Sequence, residues 1–251
     1  MSEKKVTALV TGATAGLGAE FCRQLAERCD VIIAVGRRTE RLEALSEALC
    51  AQAEVHCITA DLASVEGVAT VMEALRQKGP VDYLVNNAGF STYGYFASLG
   101  IEAQRQMVSV HIDASITLCR AAVDFMRERG SGYIINVSSM GGFLPGKGLA
   151  VYGATKAFLT YFSQALQAEV AGDGVKVQAL CPGYIHTEFH DDMSQDGFDK
   201  SRIPDDMWMD AESVVRASLD ALLADEVVVI PGEVNQQLAR AGVEQQLSRL
   251  Q

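Results

Sequence analysis

The sequence predicts an α/β fold built on a doubly wound parallel sheet, and two observations support this prediction. Short apolar runs, of the kind buried on both faces of a parallel sheet, alternate with helical patterns along the whole chain. Repeated β-α units imply right-handed crossovers, which put helices on both faces of the sheet. The chain has 251 residues, of which 49% are hydrophobic. We therefore expect residues 1–251 to form a single domain with a large core.

Each predicted element rests on its own run of residues. Strands are expected near Val6–Val10, Val31–Val35, Val55–Thr59, Tyr83–Asn86, Ile134–Ser138, Val175–Cys181 and Val227–Ile230. Helices are expected around Leu17–Arg28, Glu40–Ala51, Val65–Lys78, Glu102–Arg129, Val151–Val170 and Ala211–Leu223. Ligands of such sheets bind beyond the carboxyl ends of the strands, so the residues that follow the strands are the candidates for a site.

A glycine-rich turn follows the first predicted strand. Gly12, Gly16 and Gly18 lie between that strand and the first helix. Strand, glycine turn and helix in this order form a dinucleotide site, because glycines let the backbone approach a pyrophosphate and the helix N-terminus offers unpaired N–H groups. Three residues separate Gly12 from Gly16, whereas the common fingerprint has one between its first two glycines. The turn is therefore a variant of that fingerprint.

Ser139, Tyr152 and Lys156 give the clearest signal for chemistry. Tyr152 and Lys156 are four residues apart and share a helix face, and Ser139 follows a predicted strand a short loop upstream. A cation beside a phenol lowers its pKa and favours its ionised form, and a fixed hydroxyl can polarise a substrate carbonyl. This set suits carbonyl reduction or its reverse, with Tyr152 exchanging the proton. An ordinary amphipathic Tyr and Lys pair is the alternative.

The end of the second predicted strand bears on cofactor choice. An acidic residue there would hold the ribose 2′-hydroxyl of NAD. The chain instead has Gly36-Arg37-Arg38, which leaves no carboxylate to repel a 2′-phosphate and places two guanidiniums beside it. The sequence therefore favours NADP (NADPH). The alternative is that Arg37 and Arg38 are only solvated charges before the next helix.

Ordered motifs over nearly the whole chain resemble those of the short-chain dehydrogenase/reductase superfamily. They are the TGxxxGxG turn Thr11–Gly18, the NNAG segment Asn86–Gly89, the catalytic set Ser139, Tyr152 and Lys156, and the PGxxxT segment Pro182–Thr187. The resemblance implies a Rossmann fold of seven strands in the order 3-2-1-4-5-6-7. It also implies an oxidoreductase that transfers a hydride between the nicotinamide and a carbonyl or secondary alcohol.

The resemblance can be carried over residue by residue to the cofactor site. The contacts that it implies are Gly12, Thr14, Gly16, Leu17, Gly18, Arg37, Arg38, Asp61, Leu62, Asn87, Ala88, Gly89, Tyr152, Lys156, Pro182, Gly183 and Thr187. Asp61 could equally cap the helix from Val65, although Ser64 is better placed for that role.

One position departs from the family pattern. Relatives usually carry an Asn in a Val-Asn pair of the long helix after the NNAG strand, where it holds a water that links the catalytic Lys to solvent. The matching pair here is Val110-His111. Imidazole can donate and accept, so His111 is a fourth candidate catalytic residue, and a pKa near 6.5 would add a titration. Alternatively the relay is impaired, and the chain is a weak enzyme or a non-catalytic NADP-binding protein with an association or regulatory role.

The residues around the expected pocket favour an apolar or aromatic carbonyl or alcohol as substrate. The expected walls are Phe90, Tyr93, Tyr95, Phe96, Phe143, Leu144, Tyr184, Ile185 and His186. Residues 186–210 form a long stretch of mixed character that resembles the mobile substrate lid of the family. This stretch includes Phe189, Met193, Phe198 and Trp208, and its His186 and His190 are expected at the surface.

Charge and composition narrow the range of partners. The net charge of −11 argues against nucleic acid or an anionic membrane as a partner. The chain has no apolar run near the roughly 20 residues of a membrane span, and a cytoplasmic location is expected.

The six cysteines of the chain lack zinc-type spacing, so no metal site is expected. The family resemblance implies a homodimer or homotetramer through the helices around Glu102–Arg129 and Val151–Val170.

Overall fold

A computed structural model describes residues 5–191 and 197–250. Met193 of the expected lid lies outside these residues. The main sheet has seven parallel strands in the order β3-β2-β1-β4-β5-β6-β9, which confirms the predicted doubly wound fold. Its strands are β1 Thr7–Thr11, β2 Val31–Gly36, β3 Glu54–Thr59, β4 Tyr83–Asn86, β5 Gly132–Val137, β6 Val175–Leu180 and β9 Val228–Val229.

A second, two-stranded sheet brackets the predicted lid at residues 186–210, with one strand directly before it and the other at its end. It pairs β7 Tyr184–Ile185 with β8 Trp208–Met209 in parallel. Sequence patterning did not predict these strands, because two residues are too short a run to show any alternation.

Helices pack on both faces of the main sheet. They are α1 Gly16–Ala26, α2 Thr39–Leu49, α3 Val65–Lys78, α4 Ile101–Val108, α5 Ala114–Arg129, α6 Ala150–Val170, α7 Ala211–Ala221 and α8 Glu233–Ser248. The single helix predicted over Glu102–Arg129 is interrupted by a π-helical turn at Ser109–Asp113. Such turns are frequent at functional sites, and this one carries His111 into the interior.

The core forms two layers, one on each face of the sheet. Along β1, Ala8 and Val10 join the layer that contains α1 and α7, whereas Leu9 joins the layer that contains α3 and α5. This alternation follows from the period of two along a strand. All three side chains are 0% exposed, so the strand is apolar on both faces and polar groups can gather only at its ends. None of the helices among the described residues is both long and apolar enough to cross a membrane.

Candidate active site

The glycine turn joins β1 to α1 through a very close approach of the backbone. Gly12 and Gly16 have φ angles of +68° and +53°, which favour glycine. A Cβ on Gly18 would lie 2.1 Å from the carbonyl oxygen of Gly12 and 2.5 Å from Nδ2 of Asn87. Any side chain at Gly18 would therefore push α1 away from the ends of β1 and β4.

The residues after β4 are fixed to the end of β1 by hydrogen bonds. The hydroxyl of Thr11 accepts the backbone N–H groups of Asn87 at 2.9 Å and Ala88 at 3.0 Å. The side-chain amide of Asn87 in turn donates to the carbonyl oxygens of Thr11 at 2.9 Å and Gly12 at 3.3 Å. The NNAG segment and the glycine turn are thus one rigid unit. Both belong to the sequence-predicted cofactor site.

The N-terminus of α1 suits the pyrophosphate of a dinucleotide. Its N-cap residue, Ala15, offers no side-chain hydrogen bond to the first turn, and that turn contains no acidic residue. The first N–H groups of a helix have no partner within the helix and carry partial positive charge. These N–H groups can donate hydrogen bonds to a bound phosphate group. Gly12 and Gly16 carry no side chain, so the backbone stays accessible to that phosphate. Leu17, in the same turn, is half-buried against the core.

The later cofactor candidates line the same edge of the sheet. Thr187 closes on the glycine turn, since a Cβ on Gly16 would lie 3.1 Å from its methyl carbon. Pro182 and Gly183 follow β6, and Gly183 packs so tightly that a Cβ would lie 2.5 Å from the Asn235 side chain. Beyond β3, Leu62 is buried and Asp61 is exposed. Because the strands are parallel, the candidates that follow them lie at the same edge of the sheet.

Ser64, rather than Asp61, caps α3. Its hydroxyl accepts the backbone N–H of Gly67 at 3.0 Å. The Asp61 carboxylate accepts the backbone N–H of Ala63 at 3.0 Å instead. The sequence preference for Ser64 as the cap is thus confirmed.

Arg38 and Arg41 surround an acidic side chain that the sequence did not single out. Arg38 donates from Nη2 and Nε to the Thr14 hydroxyl, at 2.9 and 3.3 Å. Its Nη1 lies 2.9 Å from one oxygen of Glu188, and Nη1 of Arg41 lies 2.6 Å from the other. The glycine at position 36 allows Thr14 to come this close, because a Cβ there would lie 2.5 Å from the Thr14 methyl carbon.

The catalytic candidates Ser139, Tyr152 and Lys156 meet where β5 ends against α6. The hydroxyl of Ser139 accepts the backbone N–H of Gly141 at 3.0 Å and hydrogen-bonds to the Tyr152 phenol. Nζ of Lys156 lies 5.7 Å from the centre of the Tyr152 ring and donates to the carbonyl oxygen of Val137 at 2.8 Å. The three predicted residues therefore form one cluster.

Ser138 holds this cluster together and was missed in the sequence. Its buried hydroxyl donates to the carbonyl oxygen of Lys156 at 2.6 Å and lies 2.8 Å from the hydroxyl of Thr160. These bonds fix α6 to the end of β5. The sequence did contain a signal for this role, because Ser138 places a second hydroxyl directly before Ser139, at the end of the apolar run that forms β5.

The ionisation expected for Tyr152 is wrong. Burial raises the pKa of Tyr152 to about 12, although the hydrogen bond with Ser139 acts in the opposite direction. Burial also lowers the pKa of Lys156 to about 8. Desolvation of the phenol thus outweighs the effect of the Ser139 hydroxyl. At neutral pH Tyr152 keeps its proton, and the cluster holds a proton donor beside a mostly charged lysine.

His111 bridges two parts of the site through both of its ring nitrogens. Nε2 accepts the backbone N–H of Phe90 at 3.2 Å. Because this nitrogen accepts, Nδ1 carries the proton and donates to the hydroxyl of Thr155 at 2.8 Å. That hydroxyl donates in turn to the carbonyl oxygen of Tyr152 at 2.8 Å. His111 therefore connects the segment after β4 to the helix turn that carries Tyr152.

The expectation that His111 titrates near pH 6.5 is wrong. The side chain is 1% exposed, and burial together with the positive charge of Lys156 keeps the pKa of His111 well below 6.5. Both nitrogens are already bonded to protein groups, so the ring has no free nitrogen for a relay water. Through the Thr155 hydroxyl, His111 contacts the helix turn that carries Tyr152, an arrangement that suits a positioning residue.

Aromatic side chains gather around Tyr152, as the sequence suggested. The ring of Phe189 lies 6.0 Å from that of Tyr152, between ring centres. Tyr93 and Tyr184 lie 5.5 and 6.2 Å from Phe198. These contacts support the aromatic wall expected from the sequence.

Two expectations about the neighbouring residues are corrected, and one is supported. Tyr95 is 70% exposed and lies at the surface, just before a short 3-10 helix. Phe96 is 59% exposed but lines a pocket that also includes Tyr152, as expected. His190 is buried rather than at the surface, since its ring packs against Tyr184 and Trp208.

Comparison with known proteins agrees with this geometry. The family model described as short chain dehydrogenase matches residues 6–197. The chain belongs to this family. An acetoacetyl-CoA reductase of an Acinetobacter species is 36% identical over 200 residues, which cover 78% of the chain and 80% of the relative. The oxidoreductase family and the Rossmann-like fold are therefore established.

Two solved structures resemble the whole chain of this short-chain dehydrogenase. A short-chain dehydrogenase from Sphingobium yanoikuyae, in complex with NADPH, superposes with a TM-score of 0.85 and 31% identity, covering 97% of this chain and 95% of that one. A bulky-bulky ketone specific alcohol dehydrogenase from Comamonas testosteroni superposes with a TM-score of 0.82 and 29% identity, covering 98% and 94%. Both matches extend beyond the end of the family model into α7 and α8.

The ionisation states of the cluster predict the pH dependence of turnover. Lys156 is charged below its pKa of about 8 and neutral above it. A rate that relies on this charge should therefore fall as pH rises through about 8, without an inflection near 6.5, where His111 stays neutral. We expect kcat profiles of the wild type and His111→Asn to have the same shape. An inflection near pH 6.5 that His111→Asn abolishes would show that the imidazole titrates during turnover.

Proposed function

We propose that this short-chain dehydrogenase is an NADPH-dependent reductase of a carbonyl compound, or the dehydrogenase of the corresponding secondary alcohol, with Tyr152 as general acid and base. The observation that supports this most directly is the assembly of Ser139, Tyr152 and Lys156 in one cluster, at the same edge of the sheet as the glycine turn. A non-catalytic NADP-binding protein would have no need of that cluster. The alternative function is therefore less well supported.

Bound NADPH supplies the hydride for reduction. The Ser139 hydroxyl donates a hydrogen bond to the substrate carbonyl oxygen, which polarises the carbonyl. Tyr152 transfers its proton to that oxygen as negative charge develops on it. The positive charge of Lys156, 5.7 Å from the phenol ring, stabilises the phenolate left behind. In the reverse reaction, Tyr152 takes up the proton of the alcohol.

The protonation of Tyr152 favours the reductive direction near neutral pH. A phenol whose pKa is raised to about 12 retains its proton until the substrate oxygen gains charge. Alcohol oxidation needs the deprotonated form, which is scarce at that pH. We therefore propose carbonyl reduction as the main activity near pH 7.

The proposed substrate is a largely apolar or aromatic carbonyl compound. Phe189 lies against Tyr152, and Tyr93, Tyr184 and Phe198 form a contiguous aromatic surface beside it. Aromatic walls with few charges suit an apolar group next to the reacting carbonyl. The solved relative specific for bulky ketones supports this choice.

NADP is proposed over NAD because the end of β2 provides a binding site for an anion. Arg38, Arg41 and the Thr14 hydroxyl together offer donors of the kind that hold phosphate, and Arg37 adds a further positive charge. The solved relative that contains NADPH supports the same choice. An NAD-specific site would instead place a carboxylate of its own beside the ribose at this strand end.

Replacement of Tyr152 by Phe tests the proposed chemistry. The ring and its contacts with Phe189 and His111 remain, but the proton donor is lost. We expect kcat for NADPH-dependent ketone reduction to fall by at least about 10²-fold with little change in NADPH affinity. Tyr161→Phe is the matched control, because that tyrosine lies on the same helix and is 75% exposed. Retained turnover in Tyr152→Phe would disprove the assignment.

Replacement of Arg38 by Ala tests the cofactor preference. Loss of a charge-assisted contact with the 2′-phosphate should weaken NADPH binding by about 1.5–3 kcal/mol. NADH binding should be nearly unaffected. Arg37→Ala is expected to change binding in the same direction. Isothermal titration with both cofactors measures the effect, and equal losses for NADPH and NADH would contradict a 2′-phosphate contact.

We also propose that the chain self-associates through α5 and α6. Apolar side chains on these helices face outwards: Phe125 and Phe158 are 46% and 37% exposed. Contiguous exposed apolar surface marks an interaction site. Light scattering at micromolar concentration is expected to show a dimer or tetramer, and Phe125→Ser should shift the protein toward monomer. A wild-type protein that is monomeric under these conditions would exclude the proposal.

A further inference from the structure

Glu188 forms two ion pairs across the adenosine end of the cofactor cleft. Its Oε2 lies 2.9 Å from Nη1 of Arg38, and its Oε1 lies 2.6 Å from Nη1 of Arg41. The two arginines hold the pKa of Glu188 below its usual range, so the carboxylate is charged at neutral pH. Arg38 is bound at the same time to Thr14 of the glycine turn. The segment after β7 is thereby tied to both α2 and the glycine turn.

The carboxylate occupies a place built for an anion. Two guanidiniums at the start of α2, with the Thr14 hydroxyl of the glycine turn, form the kind of donor set that proteins use for phosphate groups. Arg38 precedes the first residue of α2, where the helix dipole also favours negative charge. A 2′-phosphate bound by Arg38 would lie beside the Glu188 carboxylate and would be repelled by it. The two anions therefore compete for the same arginines.

The residues on either side of Glu188 connect it to the rest of the site. Thr187 lies against the glycine turn, where a Cβ on Gly16 would be 3.1 Å from its methyl carbon. Phe189 lies against the catalytic phenol, with ring centres of Phe189 and Tyr152 6.0 Å apart. Movement of the Glu188 backbone away from the arginines would shift both of these neighbours. The ion pairs and the contact between Phe189 and Tyr152 thus belong to one short stretch of chain.

The ion pairs are weak enough for a cofactor to displace them. The side chains of Glu188, Arg38 and Arg41 are 48%, 44% and 46% exposed. Exposed ion pairs contribute little because water and salt screen them. A phosphate group carries more charge and makes stronger charge-assisted bonds than a carboxylate does. Competition with Glu188 should therefore lower the affinity for a 2′-phosphate only several-fold.

We propose that Glu188 acts as an internal competitor for the 2′-phosphate of NADP(H), so that binding of this phosphate releases Glu188 from Arg38 and Arg41 and moves Phe189 away from Tyr152. The inference rests on the proposed preference for NADP. It assigns to Glu188 a role in coupling the cofactor's 2′-phosphate to access to the catalytic tyrosine. A cofactor without that phosphate would leave the ion pairs in place.

The single tryptophan of the chain allows this movement to be followed without turnover. Trp208 stacks on His186, with ring centres 5.0 Å apart, two residues before Glu188. Its fluorescence therefore reports on the segment that contains Glu188. The full-length protein is titrated with adenosine 2′,5′-bisphosphate, which carries the 2′-phosphate, and separately with adenosine 5′-monophosphate, which does not.

We expect the bisphosphate to change the emission of Trp208 and the monophosphate to leave it nearly unchanged. Glu188→Gln keeps the size of the side chain but removes the competing charge. This variant should bind the bisphosphate about three- to tenfold more tightly, because the phosphate no longer has to displace two exposed ion pairs. Its affinity for the monophosphate should be unchanged. Its emission before any addition should already resemble that of the bisphosphate-bound wild type. Glu212→Gln, which removes an exposed ion pair with Arg216 on α7, is the matched control and should behave as the wild type.

The possible outcomes separate this inference from the cofactor proposal. If neither the wild type nor Glu188→Gln binds the bisphosphate more tightly than the monophosphate, the preference for NADP is wrong and the inference falls with it. If both bind the bisphosphate preferentially but with equal affinity, the preference stands and competition by Glu188 is disproved. Tighter binding by Glu188→Gln without any change in Trp208 emission would disprove the coupling to the segment.

Discussion

The central strands of this parallel sheet are buried on both faces, and that constraint places the candidate site where the strands end. Along β1 the side chains from Ala8 to Val10 are apolar and fully buried, whereas Thr7 and Thr11 lie at its two ends. Hydrogen-bonding side chains can be accommodated where the strands end and the backbone turns toward a helix. The Thr11 and Asn87 hydrogen bonds join two of these ends, and Ser138 joins a third to α6. The cofactor turn and the catalytic cluster are thus held by the same sheet edge.

Burial also sets the protonation of the catalytic cluster. Tyr152, Lys156 and His111 all lie in a region of low solvation, which disfavours their charged forms. The tyrosine and the histidine consequently stay neutral, and the lysine is the one charged member of these three near neutral pH. Such a site keeps a proton on the phenol and a positive charge close to it. This arrangement matches the needs of carbonyl reduction, in which negative charge develops on the substrate oxygen.

The sequence predicted those features that depend on local patterns. Continuous apolar runs located the seven main strands, and Ser64 located the start of α3. The ordered motifs indicated the glycine turn and three candidate residues, Ser139, Tyr152 and Lys156, that meet in one cluster. Interactions between distant parts of the chain could not be read in this way. Glu188 and Arg38 are 150 positions apart, and neither belongs to a pattern that points to the other. The π-helical turn at Ser109–Asp113 escaped notice because its apolar spacing fits an ordinary helix, and the raised pKa of Tyr152 depends on packing that only the fold reveals.

The strands β7 and β8 form a small sheet that is separate from the main sheet. Its parallel pairing of Tyr184 with Trp208 and of Ile185 with Met209 brings together the two ends of the intervening stretch. Parallel strands cannot be joined by a tight hairpin, so a long connection between them is required. The cost of lengthening such a connection grows slowly, by about 0.6 kcal/mol for each doubling. Insertions and substitutions within it could therefore reshape the pocket during evolution or engineering while the anchoring strands and the main sheet remain intact.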